Sequence, residues 1–209
     1  MSNNKKRWAL IAGIFTLVLL TLFFLAKRPR LAPIKKINAN DISAYLKDGD
    51  IICRLGDRIW SQYFKDISVT DKRFSHLGII RINDEKITVI NAEGRAIEGK
   101  DSVNETGLDE FLEIARAVGI YRINGYDGKI LSSMAMEYIG YPFDWGFDLE
   151  NKNKIYCTEL LYVILERIAP EIELKKIYQK ELKKEIIPLE AYSNSEHFTE
   201  IFFIRADEK

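Results

Sequence analysis

The chain has 209 residues and equal numbers of basic and acidic side chains, 31 of each, so its formal charge is zero. That balance leaves no electrostatic footprint for nucleic acid, and two cysteines are too few for a disulfide scaffold or a multi-cysteine zinc site. Setting aside the first thirty or so residues leaves roughly 175, one domain's worth of chain and enough to bury a core.

Residues 1–7 are polar and end in Lys5-Lys6-Arg7. Residues 8–26, beginning at Trp8, then run nineteen positions without a charge before Lys27-Arg28-Pro29-Arg30. A helix of that length spans about 28 Å, close to the hydrocarbon thickness of a bilayer. It exceeds the apolar region of a cleavable signal peptide and basic residues follow it directly, so it reads as an uncleaved signal anchor, a single transmembrane helix. Basic residues flank both ends, and the positive-inside rule leaves its orientation open. Residues 27–39 form a linker, and residues 40–209 the domain.

Within that domain, Asn40-Asp41 is expected to cap a short helix through Lys47, which Asp48-Gly49-Asp50 ends. Ile51-Ile52-Cys53 opens a strand. Ile59, Trp60, Tyr63 and Phe64 fall at helical spacing within residues 57–64, where the aromatic group reads as core. Residues 74–82 and 86–92 are β-branched runs joined by Asn83-Asp84-Glu85, a hairpin. Residues 98–106 read as a polar loop, 108–114 as a short helix, 117–123 as a strand and 128–139 as a helix stopped by Gly140-Tyr141-Pro142. An aromatic, acidic loop over 143–154 leads to an apolar helix over 156–168. The lysines from Lys175 to Lys184 alternate with glutamates as on a solvated helix face, and residues 198–205 make a last strand. Strands grouped early, with helices around and after them, give an α+β fold.

Two histidines restrict imidazole chemistry to His76, at a strand start, and His197, in a polar loop. Cys157 lies in Tyr156-Cys157-Thr158-Glu159, in the first turn of the apolar helix, where unpaired amides and the helix dipole favour a thiolate. Cys53, inside a strand, reads as a small packed residue. Glu93 ends the strand after that of His76, and antiparallel pairing puts positions 76 and 93 on neighbouring ladders, as an imidazole-orienting carboxylate requires. Taken singly, a strand histidine or a lone cysteine is more often a core residue than a catalyst.

Five segments in order change that balance: Leu46-Lys47-Asp48-Gly49-Asp50-Ile51-Ile52; Ser75-His76-Leu77-Gly78-Ile79-Ile80; Asn91-Ala92-Glu93-Gly94; Tyr138-Ile139-Gly140-Tyr141-Pro142-Phe143-Asp144; and Tyr156-Cys157-Thr158-Glu159-Leu160-Leu161. Together they resemble the circularly permuted NlpC/P60 group of papain-like hydrolases, in its YiiX/YebB-like branch. The resemblance implies a papain-like antiparallel sheet packed with helices, in which histidine precedes cysteine. It implies Cys157 as nucleophile, His76 as general base and Glu93 as the residue that orients it. It also implies that Tyr141, Asp144 and Tyr156 contact substrate, with no metal or organic cofactor. The expected activity is hydrolysis of an amide, of cell-wall peptide for example, through an acyl-enzyme. The expected partners are a peptide or acyl-containing substrate and, through the anchor, a membrane, with the domain on its extracytoplasmic side. A lipid acyl hydrolase or acyltransferase, and a non-catalytic tethered binding module, are the alternatives.

Overall fold

In this computed structural model the residues described are 36–95 and 100–206. The expected transmembrane segment lies outside them, and among the described residues no helix is long and apolar enough to cross a membrane. The chain divides into two units, Met1–Ile34 and Lys35–Lys209, and everything below concerns the second.

In chain order the elements are α1 (Ala39–Ile42), β1 (Ile51–Gly56), α2 (Ile59–Ile67), β2 (His76–Asn83), β3 (Lys86–Arg95), β4 (Lys100–Gly107), α3 (Leu108–Leu112), β5 (Ala115–Ile123), α4 (Gly128–Met136), α5 (Cys157–Ile168), β6 (Ile177–Gln179), β7 (Lys184–Ile186), α6 (Glu190–Ser193) and β8 (Phe198–Arg205). Six strands form one sheet in the order β4-β3-β2-β1-β5-β8, every neighbouring pair antiparallel. Strand alternation sends Ile51, Cys53, Leu77, Ile79, Ile90 and Tyr121 into a core shared with α4 and α5. It sends Ile52, Ile80, Val89, Val118 and Ile120 to the other side, against α1 and α3. Both faces are covered, which is why β1 opens as an unbroken apolar run. Each of these fully buried isoleucines contributes about 1.5–3 kcal/mol.

Several elements differ from their sequence expectation. The first helix is a single α turn begun by Asn38, whose side chain accepts from the Asn40 N–H at 3.1 Å while Asp41 accepts from the Asn38 N–H at 3.0 Å. A 3-10 turn over Ser43–Tyr45 follows it. The polar stretch read as a loop contains β4, because its eight residues pair along β3 from Thr88↔Gly107 to Arg95↔Lys100. An edge strand tolerates polar side chains that a central strand does not. The lysine-rich segment is not a helix; Ile177–Gln179 and Lys184–Ile186 pair as a small hairpin, with Lys183 at φ 54° in the turn. Charge spacing matched a helical face, but Ile177 and Ile186 pair across the hairpin and both pack with the main core.

Candidate active site

Three adjacent strands carry the polar row of the site. In the β1–β2 ladder Arg54 stands directly opposite His76. The β2–β3 register pairs Ile79 with Ile90, and its continuation sets His76 opposite Glu93. Glu93 is buried and forms an ion pair with Arg54 at 2.7 Å. The Arg54 guanidinium also donates to the Phe111 carbonyl at 2.7 Å and lies over the Phe111 ring, 4.2 Å from its centroid.

The closest side-chain oxygen to His76 belongs to a residue that the sequence reading passed over. His76 Nε2 lies 2.9 Å from Asn91 Oδ1 and 3.5 Å from Glu93 Oε1. Asn91 is two positions before Glu93 on β3, so strand alternation puts both on the face of His76. A hydrogen-bond chain fixes the Asn91 amide. Its Nδ2 donates to the Thr106 hydroxyl at 3.1 Å; that hydroxyl donates to Asn104 Oδ1 at 2.7 Å; and Asn104 Nδ2 donates to the Ser102 carbonyl. With the Asn91 N–H groups so engaged, Oδ1 is left to accept. His76 therefore carries its proton on Nε2 and keeps Nδ1 basic.

Cys157 is the first residue of α5, with Tyr156 as N-cap. Leu160, Leu161, Ile164 and Leu165 fix this helix to the core, and the Tyr156 N–H donates to Glu159 at 3.2 Å. Burial dominates the thiol and raises its pKa to about 11, while the N–H groups of Thr158 and Leu77 at the sulfur pull it down. Desolvation of the sulfur therefore works against the dipole-lowered thiolate expected from sequence, and the two amides offset it only in part. Cys53 is also a free thiol, fully buried and pushed much higher by that burial. His197 lies apart, in the loop before β8, where its carbonyl accepts from the Asn124 N–H.

Cys157, His76, Glu93 and Arg54 line one cavity of about 350 Å³. Its other walls are mainly apolar: Trp60 and Phe64 of α2, Ile114, and Phe143, Trp145 and Phe147 of the aromatic loop. Of the α2 aromatics expected in the core, Phe64 packs against it while also lining the cleft, and Trp60 stands on the cleft wall.

Tyr141 and Asp144 do not line this cavity, and Tyr156 lines a smaller neighbouring one that also borders Cys157. Tyr141 is held by its carbonyl, which accepts from the Val103 N–H at 2.8 Å, and its ring packs on Tyr138. Asp144 is buried and accepts from the main-chain N–H groups of Gly146 and Asp148, shaping the loop that presents Trp145 and Phe147. Tyr156 is buried, and its hydroxyl accepts from the Ile187 N–H at 3.0 Å. In the loop after Tyr141, the alternate aromatic positions Phe143, Trp145 and Phe147 line the cavity.

The model of the permuted papain-like amidase enzymes, the YaeF/YiiX, C92 family, matches residues 45–198, a span holding all five ordered segments. The chain belongs to this family. No curated protein matches it by sequence. Among solved structures it is similar to the metalloprotein yiiX from Escherichia coli O157:H7, with TM-score 0.61 and 18% identity, over 75% of this chain and 96% of that one. That likeness is one of fold. In this family member, no group of three or more His, Cys, Asp or Glu among the described residues is placed to hold a metal ion.

Proposed function

We propose that the chain is a membrane-tethered cysteine amidase using Cys157, His76 and a polar pair, Asn91 and Glu93, behind the imidazole. The observation that carries this reading is that the helix-start thiol and the oriented imidazole line one cavity. His76 Nδ1 takes the thiol proton as Cys157 Sγ attacks the carbonyl carbon. The tetrahedral oxyanion is met by main-chain N–H groups at the start of α5, that of Cys157 included. Imidazolium returns the proton to the leaving amine, and the C–N bond breaks to a thioester. Water, deprotonated by the same imidazole, attacks the thioester and releases acid and free thiol. The uncharged segment 8–26 supplies the tether, with the domain facing outside the cytoplasm.

The test is turnover of an amide substrate by the purified chain with Cys157→Ala and His76→Ala. Loss of at least about 10²-fold in kcat for both is expected; unchanged turnover in Cys157→Ala eliminates the reading. One observation favours the second reading, acyl transfer or hydrolysis on a lipid: the Trp and Phe walls suit an acyl chain better than a polar wall peptide. Trapping a thioester at Cys157 from a lipid ester, with none from a peptide, selects it.

A further inference from the structure

The mouth of the cavity is rimmed by large apolar side chains that the fold leaves uncovered. Trp60 and Trp145 both line the cavity and yet are 71% and 53% exposed. Ile59, beside Trp60 at the start of α2, is 88% exposed, and Tyr63, one turn on, is also exposed. These residues join a continuous aromatic series running inward. Trp60 meets Tyr63 and Tyr63 meets Phe64; Phe64 meets Phe147; Phe147 meets Phe143; and Phe143 meets Trp145 at 5.0 Å. A helix ordinarily turns Ile, Trp and Tyr at this spacing toward the core. Here Phe64 and Ile67 pack against the core, and the next stripe of α2 is left to solvent.

We propose that this rim of Ile59, Trp60, Tyr63 and Trp145 seats on the surface of a lipid bilayer, so that the Cys157 cavity opens toward the acyl region. Two observations select a bilayer as the occupant. Tryptophan and tyrosine with an adjacent aliphatic residue match the chemistry of the membrane–water interface, where amphipathic rings sit at headgroup level. The same chain carries the uncharged segment 8–26, and only nine residues separate it from Lys36. Fully extended, nine residues reach at most about 32 Å, so a tether through 8–26 would keep Lys36 within that reach of the bilayer. The charges beside the rim are mixed: exposed Arg58 precedes Ile59 and lines the cavity, Asp57 pairs with Arg116, and Asp66 with Lys65 and Lys72. Seating is therefore through the rings and Ile59, with no requirement for anionic lipid. The proposal rests on the tether reading, and its quenching readout is independent of the catalytic one.

The chain has three tryptophans, Trp8, Trp60 and Trp145, so full-length Trp8→Phe reports on the rim alone. In phosphatidylcholine vesicles with brominated acyl chains, its emission is expected to fall by about half relative to unbrominated vesicles. Ile59→Asp, an acidic residue welcome in the first turn of α2, is expected to abolish that quenching. It should leave turnover of a soluble amide unchanged and lower turnover of a bilayer-embedded acyl substrate about tenfold. Absence of quenching while the chain resists carbonate extraction overturns the seating and leaves the tether standing; loss to carbonate overturns the tether as well. Quenching that needs phosphatidylglycerol and disappears in high salt overturns it in favour of basic residues. Cross-linking between copies through position 59, without quenching, overturns it in favour of a self-interface.

Discussion

At the residue scale, His76 faces two polar partners with different duties. Asn91 Oδ1, at 2.9 Å, fixes the tautomer through the chain to Thr106 and Asn104, whereas Glu93 is bound to Arg54 at 2.7 Å. Asn91→Ala is expected to lower kcat about 10- to 100-fold with KM little changed, because a mis-set imidazole binds substrate normally but holds its proton on the wrong nitrogen. Steady-state kinetics on a soluble amide read this split. Glu93→Ala leaves a buried guanidinium without its carboxylate, a loss of about 3–5 kcal/mol. The Phe111 carbonyl and ring still hold Arg54, so about 3 kcal/mol is expected. In a thermal melt that corresponds to a Tm lower by about 6–12 °C. The thiol adds a third expectation. With burial holding its pKa well above neutral, the Cys157 thiol is mostly protonated at neutral pH, so reactivity there depends on transfer to His76. Alkylation of Cys157 by iodoacetamide at neutral pH should slow at least about tenfold in His76→Ala.

At the element scale, the start of α5 contains a titrating group. Glu159 is buried three residues into the chain from Tyr156, and desolvation raises its pKa from 4.5 to about 8, with Asp144 and Asp148 adding and Lys152 and the Tyr156 N–H subtracting. A folded-state pKa above the unfolded one means that the folded chain holds this proton longer. Its stabilising effect is complete below about pH 4.5 and is lost as pH rises to about 8, by up to about 1.4 kcal/mol per pH unit. Carboxylates held low, such as Asp71, Glu105 and Glu190, act at the acid end instead. Denaturant midpoints measured between pH 5 and 8 should therefore fall with pH, and Glu159→Gln should flatten that slope while keeping an acceptor for the Tyr156 N–H. The hairpin β2–β3 and the apolar stripe of α5 were legible in sequence, since both periods are local. The identity of β4 was not, because a polar edge strand gains its hydrogen bonds from β3, and no local pattern announces that partner.

At the scale of the whole molecule, histidine precedes cysteine by 81 residues, yet β2 and α5 bring both to one cavity. With the tether in place, a C-terminal alkaline phosphatase fusion should be active outside the cytoplasm and a C-terminal fluorescent reporter dark. The reverse pattern would put the domain on the cytoplasmic side and remove wall peptide from its substrates. The sequence by itself determined the uncharged segment 8–26, the strand carrying His76, the helix start carrying Cys157 and, through five ordered segments, the family. Each is a local pattern or an order along the chain. Only the tertiary structure decided that Asn91 lies closer to His76 than Glu93 and that burial raises the Cys157 thiol. It alone decided that Phe143, Trp145 and Phe147, rather than Tyr141 and Asp144, line the cavity. Those outcomes depend on side-chain distance, on desolvation and on which side of a loop faces a neighbouring helix, quantities fixed when distant segments pack together.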